Sequence, residues 1–147
     1  MIKLNLFRPW LVRWIYAIAF AHFAAGIWLA WFSDSIFFDD YHQAILNQVK
    51  DLSAGAHILQ VWWLSLFGAT LQNLAVFMAA LTFVGNKFRC SAVWVWMMLG
   101  LILWAPQDIL ISLQLNLWLH MWVDLAVLIV MLPPLGILWW LDCNNKK

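Results

Sequence analysis

Four long runs of apolar residues, separated by short polar stretches, make up most of this chain. The runs cover about residues 9–32, 57–84, 91–111 and 116–141. A helix of about 20 residues is about 30 Å long, which matches the hydrocarbon thickness of a bilayer. The pattern therefore predicts an all-α membrane protein, a four-transmembrane-helix bundle that forms a single integral membrane domain over residues 1–147.

The four prolines lie at positions that affect the predicted helices. Pro9 fits the first turn of the first span, where a missing N–H costs nothing. Pro106 is expected to bend or end the third span. Pro133 and Pro134 are expected to interrupt the fourth near its far end, because proline lacks the N–H and clashes with the preceding turn.

A polar stretch from Ser33 to Ala56 follows the first span. Part of it has apolar residues at helical spacing, namely Tyr41, Ile45, Val49 and Leu52. Asp39 or Asp40 can cap the start of such a helix. We therefore expect a short amphipathic helix on the membrane surface in the first outer loop. The second polar stretch, residues 85–89, predicts a tight turn.

Composition supports a membrane environment. The chain is 66% hydrophobic and 10% charged, whereas soluble proteins carry about 25% charged residues. Most of the 13 tryptophans cluster at the ends of the apolar runs. The Trp ring has a large apolar body and one N–H donor, so it settles where hydrocarbon meets headgroup. The tryptophans therefore mark both faces of the bilayer.

The basic residues give the orientation. If the chain crosses the membrane four times, seven of the eight basic residues fall on one side: Lys3, Arg8, Arg13, Lys87, Arg89, Lys146 and Lys147. Only Lys50 falls on the other side. The positive-inside rule then predicts cytoplasmic N- and C-termini and an acidic outer loop. We expect a multi-pass protein of a bacterial cell inner membrane.

The two cysteines, Cys90 and Cys143, both fall on the predicted cytoplasmic side, and neither belongs to a Cys-x-x-Cys pair. Thiols on that side normally stay reduced. This placement disfavours a disulfide-generating enzyme with thiols on the outer side.

The fourth span carries the most informative polar residues. Asn116, His120 and Asp124 lie at i, i+4 and i+8 and are expected to share one helical face. Asp124 is expected about 10 Å below the outer interface. A carboxylate at that depth needs a partner, hydration or a proton. His120, one turn nearer the surface, is the nearest candidate partner.

The other spans also bring polar groups to the outer leaflet. Counted back from Trp31, His22 lies at a depth similar to that of Asp124, and Asp108 lies in the third span if that helix continues past Pro106. The full set of candidate ligand-binding residues is His22, His57, Gln60, Asp108, His120 and Asp124. The inner half contains mainly Gln72 and Asn73. This asymmetry predicts a polar pocket that opens outward.

Small residues predict where helices approach closely. On the first span these are Ala19, Ala25 and Gly26, around His22. On the second span, Ser65, Gly68 and Gln72 form a small and polar stripe that is expected to pack against neighbouring helices.

Three interpretations of the His and Asp group remain open. It can be a structural hydrogen-bond network, a small-molecule or proton-handling site, or a metal site. The ligand spacing is not diagnostic of a metal. Haem would need two histidines facing each other at equal depth, and His22 has no such partner. In the outer loop, Asp39, Asp40 and His42 can bind a cation or simply be solvated.

The segment 68–75 through 81–89 resembles the second helix of DoxX-like small four-helix membrane proteins, which ends in a glycine and a short basic turn. The end of the chain, residues 133–142, keeps a glycine and a Leu-Asp pair similar to the end of those proteins. The resemblance implies a quinone-linked oxidoreductase component or an accessory subunit of a redox complex.

No catalytic constellation is present in the sequence. We therefore expect a non-catalytic accessory, assembly or protective partner of another membrane component rather than an enzyme. The alternative is a protein that binds a quinone, lipid, proton or metal in the outer-leaflet pocket. A transporter would need an oligomer to form a pathway. The expected partners are the lipid bilayer and another membrane protein or a second copy of the chain, with no nucleic acid, and the sequence specifies no cofactor.

Overall fold

The computed structural model describes residues 2–47 and 55–144, with side chains from residue 6 onward. The described residues form helices and short turns, without a strand. Within the described residues there are five α-helices: α1 (Ile2–Phe32), α2 (Asp39–Leu46), α3 (Ala56–Phe88), α4 (Ser91–Gln114) and α5 (Trp118–Asn144). α1, α3, α4 and α5 are long and apolar enough to span a membrane, as predicted.

The helices are longer than the apolar runs suggested. α1 begins at Ile2, so Pro9 lies inside the helix and not in its first turn. α3 continues through Gly85 to Phe88, so the predicted turn over residues 85–89 is wrong. The connection to α4 consists of Arg89, which has a left-handed φ of 49°, and Cys90. Gly85, Asn86 and Lys87 at the end of an apolar run are typical of a loop, but here they continue the helix.

The prolines in the later helices do not end them. α4 continues past Pro106 to Gln114, and α5 continues past Pro133 and Pro134 to Asn144, so the expected interruption of the fourth span is wrong. Pro134 cannot donate to the carbonyl of Val130 one turn earlier. The indole N–H of Trp14 in α1 donates to that carbonyl over 3.2 Å. A neighbouring helix therefore supplies the donor that proline lacks.

The four long helices form a ring in which α1 packs against α3, α3 against α4, α4 against α5, and α5 against α1. Contacts within the pairs α1/α3 and α4/α5 are far more extensive than those between the pairs. Gly26 and Gly68 lie where α1 and α3 touch. A Cβ added to Gly26 would come within 2.7 Å of the carbonyl oxygen of Gly68, so the two backbones are in direct contact, as the small residues predicted.

The two ends of the bundle differ. One end of the bundle contains the start of α1, the α3–α4 turn and the end of α5, and we call it the terminal end. The opposite end contains α2 and the α4–α5 turn, and we call it the loop end. The hydrophobic core shared by all four long helices lies in the half nearest the terminal end. Its members are Val12, Ile15, Ala19, Met78, Trp94, Met97, Met131, Leu135 and Leu138.

Most of the outer surface of the bundle is apolar. Fewer than a third of the residues in the most apolar window of each spanning helix are buried inside the protein. Twelve of the 13 tryptophans are exposed, and Trp94 is fully buried. Exposed tryptophans suit a surface in contact with lipid and headgroups.

After α1, a 3-10 turn (Ile36–Phe38) leads into the short helix α2. The residue that caps α2 is Phe38 and no side chain caps the helix, so the expectation that Asp39 or Asp40 does so is wrong. His42 is buried, with its Nε2 atom 2.7 Å from the carbonyl oxygen of Ser33 at the end of α1. The later positions of the predicted amphipathic helix, Val49 and Leu52, lie outside the described residues.

Candidate functional site

Three acidic and histidine side chains meet at the loop end. Asp108 comes from α4, and His120 and Asp124 come from α5. One ligand atom from each of these residues lies within 4.8 Å of the others. His120 Nε2 is 3.4 Å from Asp108 Oδ2 and 4.0 Å from Asp124 Oδ1. We call these three residues the loop-end cluster.

The local fold explains how the cluster forms. Because α4 continues past Pro106, Asp108 is held on a helix near the α4–α5 turn. His120 and Asp124 are four residues apart in α5 and share one face. Asn116 does not join them on that face, because it precedes α5 and has a left-handed φ of 55°. The predicted three-residue series on the fourth span is therefore reduced to two residues.

Asp124 is the buried member of the cluster. Its side chain is 2% exposed, and its Oδ2 atom has no hydrogen-bond partner in the described part of the protein. Asp108 and His120 are about a quarter exposed. The lysines and arginines whose side chains are described, Arg8, Arg13, Lys87 and Arg89, all lie toward the terminal end. Of the described side chains, only histidine can thus offset the two neighbouring carboxylates with a positive charge.

Tyr41 of α2 lies beside the loop-end cluster. Burial raises the pKa of its phenol above the ordinary value of 10.0, and the negative charge of Asp108 raises the pKa further. The phenol therefore stays protonated at neutral pH and is a neutral neighbour of the carboxylates.

The other predicted site residues lie elsewhere. His22 Nδ1 is 2.9 Å from the carbonyl oxygen of Ile18, one turn back on α1. Within the described part of the chain, no hydrogen bond or ion pair joins His22 to Asp124. His57 Nε2 is 3.8 Å from Asp34 Oδ1, and the ring of His57 lies 5.0 Å from that of His42. The structure thus brings together three of the six candidates.

Gln60, the remaining candidate, has buried side-chain nitrogen and oxygen atoms without a hydrogen-bond partner among the described residues. It lies on α3, whereas the loop-end cluster is made by α4 and α5.

A second polar group, at the terminal end, was missed by sequence reasoning. Arg8 of α1 donates from Nε and Nη2 to the two carboxylate oxygens of Asp142 of α5, each over 2.9 Å. Trp94 of α4 donates to Asp142 over 2.9 Å, and Arg8 also donates to Asn86 of α3. The expectation that the inner half holds mainly Gln72 and Asn73 is therefore wrong. The sequence did contain a signal for this network. Asp142 is the one acidic residue on the side that carries seven of the eight basic residues.

This terminal network is almost completely buried. The side chains of Arg8 and Asp142 are 4% and 0% exposed. Arg89, which is half exposed, lies 3.4 Å from Asp142 on the side facing the surface. Gly85 makes room for Trp94, because a Cβ on Gly85 would come within 2.7 Å of the indole ring. The network joins all four long helices.

The loop-end cluster has the chemistry of a metal-ligand set. Imidazole nitrogen and carboxylate oxygen are ligands for divalent transition metals such as Zn²⁺. Ligand atoms around such an ion, with bonds of about 2.0–2.2 Å in a tetrahedral arrangement, lie about 3.3–3.6 Å apart. The separations of 3.4 and 4.0 Å from His120 are close to this range. All three ligand atoms lie within 4.8 Å of one another, so the side chains would have to move closer together to bind one ion.

No protein-family model matches the chain, and no curated protein or solved structure matches it. The resemblance to DoxX-like proteins therefore stays a prediction.

Proposed function

We propose that this is a small multi-pass membrane protein that binds one divalent transition-metal ion, Zn²⁺ in the first instance, through Asp108, His120 and Asp124. In this role it serves as a non-catalytic partner of another membrane component. The observation that carries the proposal is the buried carboxylate of Asp124, whose Oδ2 atom has no protein partner among the described residues although it lies in a cluster of metal-ligand side chains.

Charge balance supports a cation at the loop-end cluster. Two carboxylates lie near one imidazole in a segment that spans the membrane, and a buried, uncompensated carboxylate costs several kcal/mol. A divalent cation neutralises both carboxylates at once and uses the neutral form of His120 as a ligand. Protonation of one carboxylate would also reduce the charge, and this is the competing structural explanation.

The ligand count supports a site that remains accessible. Three protein ligands are fewer than the four or more that a divalent transition metal takes, so water or a group from a partner would complete the coordination. Asp108 and His120 are partly exposed, so the cluster can be reached from the surface of the bundle. Such a site suits reversible binding better than a closed structural site does.

The distribution of charge supports the orientation. The described basic side chains lie toward the terminal end, so by the positive-inside rule that end faces the cytoplasm. The membrane we propose is a bacterial inner membrane. The loop-end cluster would then take its ion from the outer side. The small extramembrane parts favour action through another membrane protein or a second copy of the chain.

The experiment is a metal titration of the purified full-length chain in detergent after treatment with a chelator. We expect Zn²⁺ to bind with one-to-one stoichiometry in calorimetry and to raise the thermal unfolding temperature. Asp124→Asn and His120→Ala should each weaken Zn²⁺ binding about tenfold or more, because removing one of three ligands leaves an incomplete set.

Asp34→Asn is the matched control, since Asp34 is an exposed acidic residue at the same end but outside the cluster. It should bind Zn²⁺ like the wild type. If Zn²⁺ does not raise the unfolding temperature of the wild type, and Asp124→Asn only lowers that temperature, the cluster is a structural hydrogen-bond network and the proposal is wrong.

A further inference from the structure

A cavity of about 410 Å³ opens at the terminal end, between α1 and the α3–α4 turn. Three arginines line it, Arg8, Arg13 and Arg89, together with Asn86 and Tyr16. Its volume falls within the range of about 300–1,000 Å³ that is typical of small-ligand sites. This cavity is separate from the loop-end cluster, so the inference drawn from it does not depend on metal binding.

The cavity carries an excess of positive charge. Three guanidinium groups line it, and two of them, those of Arg8 and Arg89, contact the carboxylate of Asp142. Arg8 is committed to Asp142 and Asn86 by hydrogen bonds from all three of its guanidinium nitrogens. Arg89 also donates from Nη1 to Asp142, over 3.4 Å. One carboxylate against three guanidinium groups still leaves a net positive charge for a ligand, carried by Arg13 and by the other nitrogens of Arg89.

The two available arginines are partly held in position. The guanidinium carbon of Arg13 lies 5.2 Å from the ring centre of Trp10, a cation–π arrangement that keeps the group near the surface of the bundle. Arg89 is half exposed, and its backbone is fixed by the left-handed turn between α3 and α4. A planar guanidinium offers paired N–H donors that match the oxygens of a phosphate group.

The depth of the cavity suits a headgroup. Arg13 of its lining packs on Trp10, an exposed aromatic residue of the type that settles at the level of lipid headgroups. Basic pockets between spanning helices on the cytoplasmic side are suited to anionic headgroups. Both the charge and the depth therefore point to the same ligand class.

We propose that this cavity is a phosphate-binding site, in which Arg13 and Arg89 hold the phosphate group of an anionic phospholipid or a free phosphate ion. Tyr16 can donate its phenolic hydrogen to a further phosphate oxygen. Arg8 and Asn86 form the rigid wall of the site.

The test measures lipid and phosphate binding by the purified, delipidated chain in detergent. Phosphatidylglycerol, phosphatidylcholine and inorganic phosphate are titrated separately, with native mass spectrometry for the lipids and calorimetry for phosphate. We expect phosphatidylglycerol to bind about tenfold or more tightly than phosphatidylcholine, and Arg13→Gln with Arg89→Gln to remove most of this preference. If inorganic phosphate binds with the same dependence on the two arginines and phosphatidylglycerol shows no preference, the ligand is a free phosphate.

Lys87→Gln is the matched control, because Lys87 is basic, lies at the same end and packs against Phe83 and Phe88 outside the cavity. It should leave binding within about twofold of the wild type. The proposal is overturned if Lys87→Gln weakens binding as much as the arginine substitutions, since general surface charge would then explain the effect. It is also overturned if neither phosphatidylglycerol nor phosphate binds in preference to phosphatidylcholine.

Discussion

Several single residues in this protein form contacts that compensate for a missing donor or a bulky side chain in a neighbouring helix. The carbonyl of Val130 loses its usual donor because Pro134 follows four residues later, and Trp14 from α1 donates to it. Gly85 has no Cβ where the ring of Trp94 passes, and Trp94 in turn donates to Asp142. An unsatisfied buried polar group costs about 1–3 kcal/mol, which is the physical reason for the buried bond from Trp94 to Asp142.

Tyr41 provides a test of the charge at the loop-end cluster. Because burial and then the charge of Asp108 raise its pKa, its phenol should titrate above 10.0. Asp108→Asn should lower the midpoint without returning it to the ordinary value, since burial is the larger cause. The measurement is ¹³C NMR of tyrosine labelled at Cζ. The chain has one other tyrosine, Tyr16, and the signal that disappears in Tyr41→Phe is that of Tyr41.

Asp34→Asn should leave the Tyr41 midpoint unchanged, because Asp108, and not Asp34, is the charged group that raises this pKa. An equal midpoint in the wild type and in Asp108→Asn would show that the negative charge of Asp108 does not reach the phenol.

At the scale of the elements, the bundle consists of two closely packed helix pairs, and the closest approach is between α1 and α3. Gly26 and Gly68 allow the two backbones to touch there. Close packing of small residues is a main source of stability for helices in membranes, where no hydrophobic effect drives helices together. The α1/α3 pair therefore depends on residues with almost no side chain.

Gly68→Ala should destabilise the protein by about 1–3 kcal/mol, because the added methyl group would meet the backbone of α1 and force the helices apart. Gly100→Ala is the control, since a Cβ at Gly100 meets no atom within 4 Å. That variant should be as stable as the wild type or slightly more stable. Thermal unfolding in detergent measures both variants, and equal stability of the two would contradict close packing at Gly68.

The four helices long enough to span a membrane could be predicted from the sequence, because each apolar run is long enough to be recognised without reference to the others. The helix ends and the effect of the prolines could not be predicted in this way. The carbonyl that Pro134 leaves without its usual donor is bonded by Trp14, a residue more than a hundred positions away. Helical spacing brought His120 and Asp124 together correctly. Whether Asp108 or His22 completes the group depends on how the helices are arranged, which local spacing does not encode.

At the scale of the whole molecule, the terminal network joins the two helix pairs together with the shared hydrophobic core. Arg8 and Asp142 are 134 positions apart in sequence and form a fully buried, two-bond ion pair. Asn86 and Trp94 bring α3 and α4 into the same network. The shared hydrophobic core lies in the same half of the bundle.

Asp142→Asn should lower the free energy of unfolding by about 3–5 kcal/mol, because it leaves the buried guanidinium of Arg8 without a counter-charge. Arg89→Gln should cost less than about 1 kcal/mol, because Arg89 is half exposed and its contact is longer. Replacing both buried partners, with Arg8→Met and Asp142→Leu, should recover much of the loss. The measurement is reversible unfolding in mixed detergents, and a small effect of Asp142→Asn would show that the pair does not hold the bundle together.

The position of the shared core has a consequence for motion. Because the contacts that unite all four long helices are concentrated in one half of the protein, resistance to opening is unequal along the bundle axis. We expect any separation of the α1/α3 pair from the α4/α5 pair to begin at the loop end, away from the shared core. All three residues of the loop-end cluster belong to the α4/α5 pair, so such a separation would widen access to them and leave their mutual geometry unchanged. If the loop-end cluster binds the proposed metal ion, the ion could therefore enter and leave without any unfolding.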